Sequence, residues 1–312
     1  MAIEIDEEGF AVESEEPEFD HLDESAVYNI QIKVFGVGGG GGNAVANMAQ
    51  KGLRDKNSKD VSDDDVDIEF VVVNTDVAAL KDKDKTLMRR VQIGRKCAKG
   101  RGAGGRAEVG AEAAREDREE VEKYLKGSSL VFISAGMGGG TGTGAAPVVA
   151  KAAQEMGILT VAVVTKPFAF EREQKMAQAE NGISELKKYV DSLIVIPNER
   201  LLVGLEKPLT MKESFALSDD ILKTGVKSIA DLIVEEGYIN LDFADVSTTM
   251  KGAGYAHMAI GHGAGKDKAT EAAKAVISSP LLETSINGAT GVLVNVTGST
   301  ELTLDDVETA AG

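Results

Sequence analysis

Three stretches of the chain carry residues whose types and spacing suit the binding of phosphate. Gly36-Val37-Gly38-Gly39-Gly40-Gly41-Gly42-Asn43 follows an apolar run, opens a helical one, and contains the spacing Gly36-x-Gly38-x-x-Gly41. Backbone N–H groups converge on a phosphate only where no Cβ obstructs the approach, and the N-terminus of a following helix adds a favourable dipole. That spacing alone names no nucleotide. Gly136-Met137-Gly138-Gly139-Gly140-Thr141-Gly142-Thr143-Gly144 repeats the arrangement after another apolar run and adds two threonine hydroxyls. One such loop serves a dinucleotide, whereas two at the ends of strands suit a triphosphate. Gly102-Ala103-Gly104-Gly105-Arg106 offers further amides and a cation for a terminal phosphate, or else is simply a mobile surface loop. The sequence has no Walker-type Gly-x-x-x-x-Gly-Lys-Ser/Thr, since the stretch Gly261 to Lys266 has the wrong spacing and runs into Asp267.

The elements around these loops alternate. Asn29 to Phe35 reads as a buried strand leading into the first glycine loop and a helix from Ala44 to Lys51. A polar insert, Asn57 to Asp67, precedes Ile68 to Val73, whose near-continuous apolar run suits a parallel strand covered on both faces, with Asn74-Thr75-Asp76 at its carboxyl end. A helix over Ala107–Lys126, a strand Leu130–Ser134, the second glycine loop, a helix Ala145–Glu155 and a strand Ile158–Val164 follow. This order predicts an α/β class, a Rossmann-like doubly wound parallel sheet. The strand Leu193–Ile196 ends in Pro197-Asn198, and the periodicity of Phe215, Ile221, Leu222, Val226, Ile229 and Ile233 predicts one long helix over 212–234. Shorter elements come next: a helix from near Asp242, strands near Ala256–Ile260 and Gly291–Val296, a helix Lys268–Ser278, and a helix opened by Thr303 and Asp306 in capping-box fashion. The expected division is an acidic disordered tail over 1–28, a nucleotide-binding domain over 29–211, a central helix over 212–234, and a smaller α+β domain over 235–312 that looks incomplete.

Composition narrows the function class. The 312 residues carry a formal net charge of −17, and eleven acidic residues without a Lys or Arg lie between Glu4 and Glu24, leaving about −6 on the rest. Bulk charge therefore favours neither nucleic acid nor an anionic membrane surface as partner. Cys97 stands alone, so no internal disulfide framework exists, and the chain has no signal-peptide pattern or membrane-length apolar run. A reducing cytoplasm is the expected setting. Cys97 is expected to be unreactive, and His21, His257 and His262 show no metal-ligand spacing. Taken bare, Asp220 reads as a solvated helix residue, Phe215 as core, and Asp242 with Asp245 as carboxylates favoured in a helix's first turn.

The motifs together are similar to those of the FtsZ family of tubulin-like GTPases. The resemblance rests on Gly138-Gly-Gly-Thr-Gly-Thr-Gly144, on Gly36 to Asn43, on Asn74-Thr-Asp76, on Ile196-Pro-Asn198 and on Asn240-Leu-Asp-Phe-Ala-Asp245, in order and spacing from about Asn29 to Gly312. It implies the tubulin/FtsZ fold, GTP and GDP as ligands, and Mg²⁺ held through phosphates and water with no protein ligand. It implies phosphate contacts from Gly39, Gly40, Gly41, Gly42, Asn43, Thr141, Gly142 and Thr143, further GTP-binding residues in Asn74, Gly138, Gly139 and Gly140, and Gly102, Ala103 and Gly104 near the terminal phosphate. Glu171 would touch the ribose, Phe215 would stack on the base, and Asp220 with Asn198 would read guanine, whose paired N–H donors suit an acceptor-only carboxylate. Lys175 stands where the family commonly has Arg, keeping the charge and losing the bidentate fork.

The same resemblance implies a catalytic set, Asn240, Asp242 and Asp245, that completes the pocket of the next subunit in a head-to-tail filament. Hydrolysis would then depend on assembly, in a filament of the division ring at mid-cell, in the cytoplasm, with other division proteins as partners. The family's further C-terminal segment and its docking peptide for membrane-tethering partners are not in the sequence, and direct membrane insertion is not expected. Two other readings stand beside this one. A nicotinamide-dependent oxidoreductase would rest on Gly36 to Gly41, although Asp76 follows its strand later than such a site needs. A nucleotide-binding structural protein without turnover would leave Asp242 and Asp245 idle.

Overall fold

The apolar alternation along Ile30–Val37 divides its side chains between two cores. Ile32 and Val34 belong to one, Phe35 and Val37 to the other. The same division recurs on the neighbouring strand, where Val72 faces one way and Val71 and Val73 the other. A sheet buried on both faces must be covered by helices on both.

A computed structural model gives this architecture for residues 4–5, 11–12, 30–51, 66–203, 207–234, 237–282 and 288–311. A two-residue ladder pairs β1 (Glu4–Ile5) with β2 (Ala11–Val12), the only described part of the acidic stretch 1–28. The polar insert lies outside the described residues apart from Val66 and Asp67, which extend the next strand. The main sheet contains β3 (Ile30–Val37), β4 (Val66–Asn74), β5 (Arg89–Gln92), β6 (Leu130–Gly136), β7 (Leu159–Lys166), β8 (Ser192–Pro197) and β9 (Gly254–Ala256). Its seven strands run in the order β5-β4-β3-β6-β7-β8-β9, all parallel. The chain travels outward from β3 in one direction and, from β6, in the other. The crevice beyond the carboxyl ends of β3 and β6 is thus the topological switch point, where open α/β sheets bind ligands.

Helices α1 (Gly38–Lys51), α7 (Met211–Val234) and α8 (Phe243–Met250) cover one face through Val45, Met48, Leu222, Val226 and Val246. Helices α3 (Ala107–Glu116), α4 (Arg118–Leu125), α5 (Thr141–Glu155) and α6 (Glu173–Leu186) cover the other through Ala113, Val121, Ala146 and Ile183. A short α2 (Val77–Lys81) follows β4, and α9 (Lys268–Ile277) and α10 (Leu304–Ala311) lie towards the carboxyl end. Thr303 and Asp306 exchange the expected capping bonds at the start of α10.

Several expected boundaries move. Helices α1 and α5 begin inside their glycine loops, at Gly38 and Thr141, because each loop winds directly into the first turn against its neighbour. The helix expected over 107–126 breaks at Asp117, whose carboxylate accepts the Gly94 N–H at 2.6 Å and the Arg95 N–H at 3.4 Å. Committing that side chain to a turn across the surface leaves its backbone outside the helical region, at φ −109° and ψ 29°. Of the expected strand Ala256–Ile260 only Ala256 pairs, as the last residue of β9, and Gly291–Val296 belongs to no ladder among the described residues. Strand β5 and helix α6 have no counterpart in the sequence reading.

Candidate functional site

Both glycine loops sit at the switch point, where they touch. A side chain at Gly38, whose φ is +77°, would come within 2.6 Å of the Gly142 nitrogen, and one at Gly40 within 3.4 Å of the Gly136 Cα. The contact admits no Cβ at Gly38, and at Gly40 a Cβ would just touch the facing loop. On the outer side the reverse holds: Cβ atoms built at Gly39, Gly139, Gly104 and Gly105 meet nothing within 4 Å. The walls are therefore bare backbone around open space, and the first N–H groups of α1 and α5 have no partner inside their own helices. That geometry fits a chain of phosphate oxyanions.

Hydroxyls brace the loops, one bond within the second glycine loop and one between that loop and the end of β4. The Thr143 Oγ1 accepts the Gly138 N–H at 2.8 Å, and the Thr141 and Thr75 hydroxyls pair at 2.7 Å, all buried. Asn74 is buried and accepts the Asp76 N–H, while the Gly102 N–H donates to the Thr75 carbonyl at 3.3 Å, laying the third loop along the end of β4. Asn43 is exposed and accepts from Lys83 Nζ at 2.7 Å.

The expected base and ribose residues gather around the first turns of α7. Asn198 is buried and accepts from the Ser218 hydroxyl at 2.8 Å. Asp220 accepts from the Asn47 amide at 2.9 Å and from Lys51 Nζ at 3.1 Å, both on α1. Phe215 is 41% exposed, not core, and stands edge-on to Phe168 and Phe170 with centroids 5.4 and 6.2 Å away. Phe170, itself 57% exposed, stacks on the buried Phe168. Glu171 accepts the Phe168 N–H at 3.1 Å and the Lys175 ammonium at 2.9 Å, so Lys175 holds the carboxylate of its own turn. Asp219 beside Asp220 is half-buried. Burial, then the neighbouring Asp220 charge, pushes its carboxyl up to about 6 against the opposing pull of Lys83.

Sequence reasoning missed Asn47, Lys51, Lys83, Ser218 and Gln178. Only the helical spacing of Asn47 and Lys51, four residues apart, offered a signal. Cys97 lies partly buried, and burial together with Glu116 pushes its thiol up, in keeping with an unreactive group. Among the described residues no cluster of three or more His, Cys, Asp or Glu could hold a metal ion, and no helix is long and apolar enough to cross a membrane.

Asn240, Asp242 and Asp245 lie elsewhere. Helix α7 has 24 residues and spans about 36 Å. Its start is tied to the carboxyl ends of the strands through Ser218 and Asn198. The segment after it returns at the opposite edge, where the Ser192 hydroxyl, at the beginning of β8, donates to the Met250 carbonyl at 2.8 Å. Asp242 caps α8 and accepts the Asp245 N–H at 2.8 Å, and Asp245 accepts the Asp242 N–H at 3.4 Å. Asn240 accepts the Gly237 N–H at 2.6 Å. All three are exposed, with the exposed Tyr238 and Ile239 next to them.

A parallel sheet with two glycine loops meeting at its switch point, followed by one long helix, defines the tubulin-like class of GTPase-domain proteins. Residues 31–205 match the Tubulin/FtsZ family GTPase domain, and residues 254–312 match the FtsZ family C-terminal domain. An FtsZ dimer from M. jannaschii is 39% identical with a TM-score of 0.81 over 90% of this chain and 78% of that one. A point mutant of FtsZ from the same organism is 38% identical with a TM-score of 0.82 over 90% of this chain and 80% of that one. A CetZ2 protofilament from Haloferax volcanii, with GTPγS bound, shares the fold at 23% identity and a TM-score of 0.59, over 80% and 71% of the two chains. The chain belongs to the tubulin/FtsZ family, in its FtsZ branch. The nicotinamide reading of Gly36 to Gly41 falls with that membership.

Proposed function

We propose that this protein binds GTP at the switch point and hydrolyses it only at the junction between two subunits of a head-to-tail filament. The observation that carries the proposal is the separation of the two halves of the site by the length of α7. A subunit whose phosphate loops and acidic residues lie at opposite ends cannot bring its own Asp242 or Asp245 to its own nucleotide. A second subunit stacked end to end can supply them, and a heterologous contact of this kind propagates into an open filament. The exposed Tyr238 and Ile239 beside Asn240 give such a contact apolar surface to bury. Self-association also agrees with the dimer described for the M. jannaschii relative.

In this reading the amides of Gly39 to Asn43 and of Gly138 to Thr143 take the phosphate charge, while Gly102 to Gly104 lie by the terminal phosphate. Asp220 and Asn198 read guanine, Phe215 covers the base, and Glu171, held by Lys175, takes the ribose. When bound, Mg²⁺ supplies charge neutralisation through phosphate oxygens and water. Asp242 and Asp245 of the adjoining subunit position the attacking water, with Asn240 beside them. The cellular role belongs to the same proposal and rests on likeness to the family: a cytoplasmic polymer of the division ring at mid-cell, working with other division proteins. The decisive experiment is phosphate release measured against protein concentration. Specific activity that rises steeply above a threshold supports the reading, and activity independent of concentration overturns it.

A further inference from the structure

A single side-chain nitrogen joins two of the loops. Gln178 on α6 places its Nε2 at 3.0 Å from the Gly105 carbonyl, 3.0 Å from the Gly138 carbonyl and 2.9 Å from the Gly139 carbonyl. A carboxamide nitrogen carries two hydrogens, so the three carbonyls share two protons. The Gly138 and Gly139 carbonyls belong to the peptide units whose N–H groups are those of Gly139 and Gly140. In a planar trans peptide the N–H points away from its C=O. Drawing both carbonyls towards α6 therefore turns the Gly139 and Gly140 amides away from α6, and the backbone at Gly139 borders open space, since a Cβ there would meet nothing within 4 Å. The Gly105 carbonyl ties the third loop to the same nitrogen, on the α6 side.

We infer that Gln178 is a positioning residue: by holding the Gly105, Gly138 and Gly139 carbonyls it aims the Gly139 and Gly140 amides at phosphate oxyanions and clamps the 102–105 loop beside them. It touches no substrate. The inference rests on the nucleotide reading of the site for its ligand, and on hydrogen bonds alone for the clamp.

The two parts separate experimentally. In nucleotide-free protein, hydrogen exchange over 102–106 and 138–141 reads the clamp without any ligand. Gln178→Leu, close in size and without polar atoms, should raise exchange in both segments about tenfold while β3, β6 and the melting temperature stay as in the wild type. Titration with GTP and GDP should show affinity lower by about tenfold, the scale of one lost hydrogen bond, with kcat at saturating GTP reduced less than kcat/KM. Gln178→Glu places an acceptor-only carboxylate against three carbonyls, so it should bind more weakly than the Leu variant at pH 7.5 and recover at acidic pH, where a protonated carboxyl regains one donor. Unchanged exchange and unchanged affinity in the Leu variant overturn the proposal. A loss of affinity that comes with a lower melting temperature and faster exchange throughout the sheet also overturns it, in favour of a merely structural role. Failure of wild-type protein to bind GTP defeats the nucleotide reading instead, and the exchange result still decides the clamp.

Discussion

The side-chain amide of Asn47 donates to the carboxylate of Asp220 at 2.9 Å, tying α1, which opens in the first glycine loop, to the long helix α7. Lys51 reaches the same oxygen at 3.1 Å. Both bonds fall on Oδ1, so the α1–α7 contact engages one of the two carboxylate oxygens.

This division gives two distinct outcomes. Asp220→Ala removes the acceptor and should weaken GTP binding by roughly 1 to 3 kcal/mol, with discrimination against ATP lost. Asn47→Ala leaves the carboxylate in place, so affinity should fall less and discrimination should survive. Calorimetric titration of both variants with GTP and ATP checks the pair, and equal behaviour of the two would refute the guanine assignment.

Asp245→Ala should leave GTP affinity nearly intact and reduce hydrolysis by a factor of order 10² to 10⁴, the usual effect of losing a group that positions a proton or water. Gly140→Ser should fail in the opposite way, because its Cβ would lie 2.8 Å from the Ala103 Cβ and 2.9 Å from the Arg106 nitrogen, inside the phosphate loops. Mixing the two creates junctions with one intact pocket and one intact acidic segment. Phosphate release from the mixture above the sum of its components is expected, and strict additivity at every ratio would count against the shared site.

Asp219 ties stability to pH. Its folded pKa is raised, so the folded state favours the protonated carboxyl, and stability falls as pH rises from the ordinary carboxylate range through about 6. Asp219→Asn removes the charge and should raise the melting temperature at pH 7.5, with the gain shrinking to nothing near pH 4. A gain that persists at acid pH would mean that the substitution acts by some route other than titration.

The hydroxyl pair of Thr75 and Thr141 makes a further test. Thr75→Val keeps the shape and strands the Thr141 hydroxyl in a buried setting, at an expected cost of about 1 to 3 kcal/mol in urea unfolding. Thr141→Val in the same background should cost much less than it does alone, since both partners are then apolar.

The sequence made the strand, loop and helix alternation legible because strands buried on both faces leave long apolar runs, and Val71 to Val73 could not be mistaken. It hid β5, where Arg89-Arg90 interrupts the apolar pattern at a sheet edge. It also gave no hint that Asp117 would leave its helix, since that carboxylate's acceptor role is set by a turn more than twenty residues earlier. The glycine loops were legible from composition alone. The groups that hold them were not: Gln178 on a helix reads like any solvated amide, because its partners are backbone carbonyls, which every residue possesses and no sequence distinguishes. The bonds of Thr141 and Thr143 were equally hidden, since Thr141 pairs with Thr75 from the end of β4 and Thr143 accepts a backbone N–H of its own loop.

The placement of the acidic segment about one α7 length from the phosphate loops has a consequence for the ends of a polymer. On the head-to-tail reading, one terminal subunit offers a filled pocket with no neighbour's carboxylates over it, and the other offers carboxylates with nothing to act on. The first of these keeps its triphosphate however old the filament grows. Such a polymer has chemically unequal ends, so its growth and loss acquire a direction from the chemistry of a single chain, with no separate capping factor needed to tell front from back.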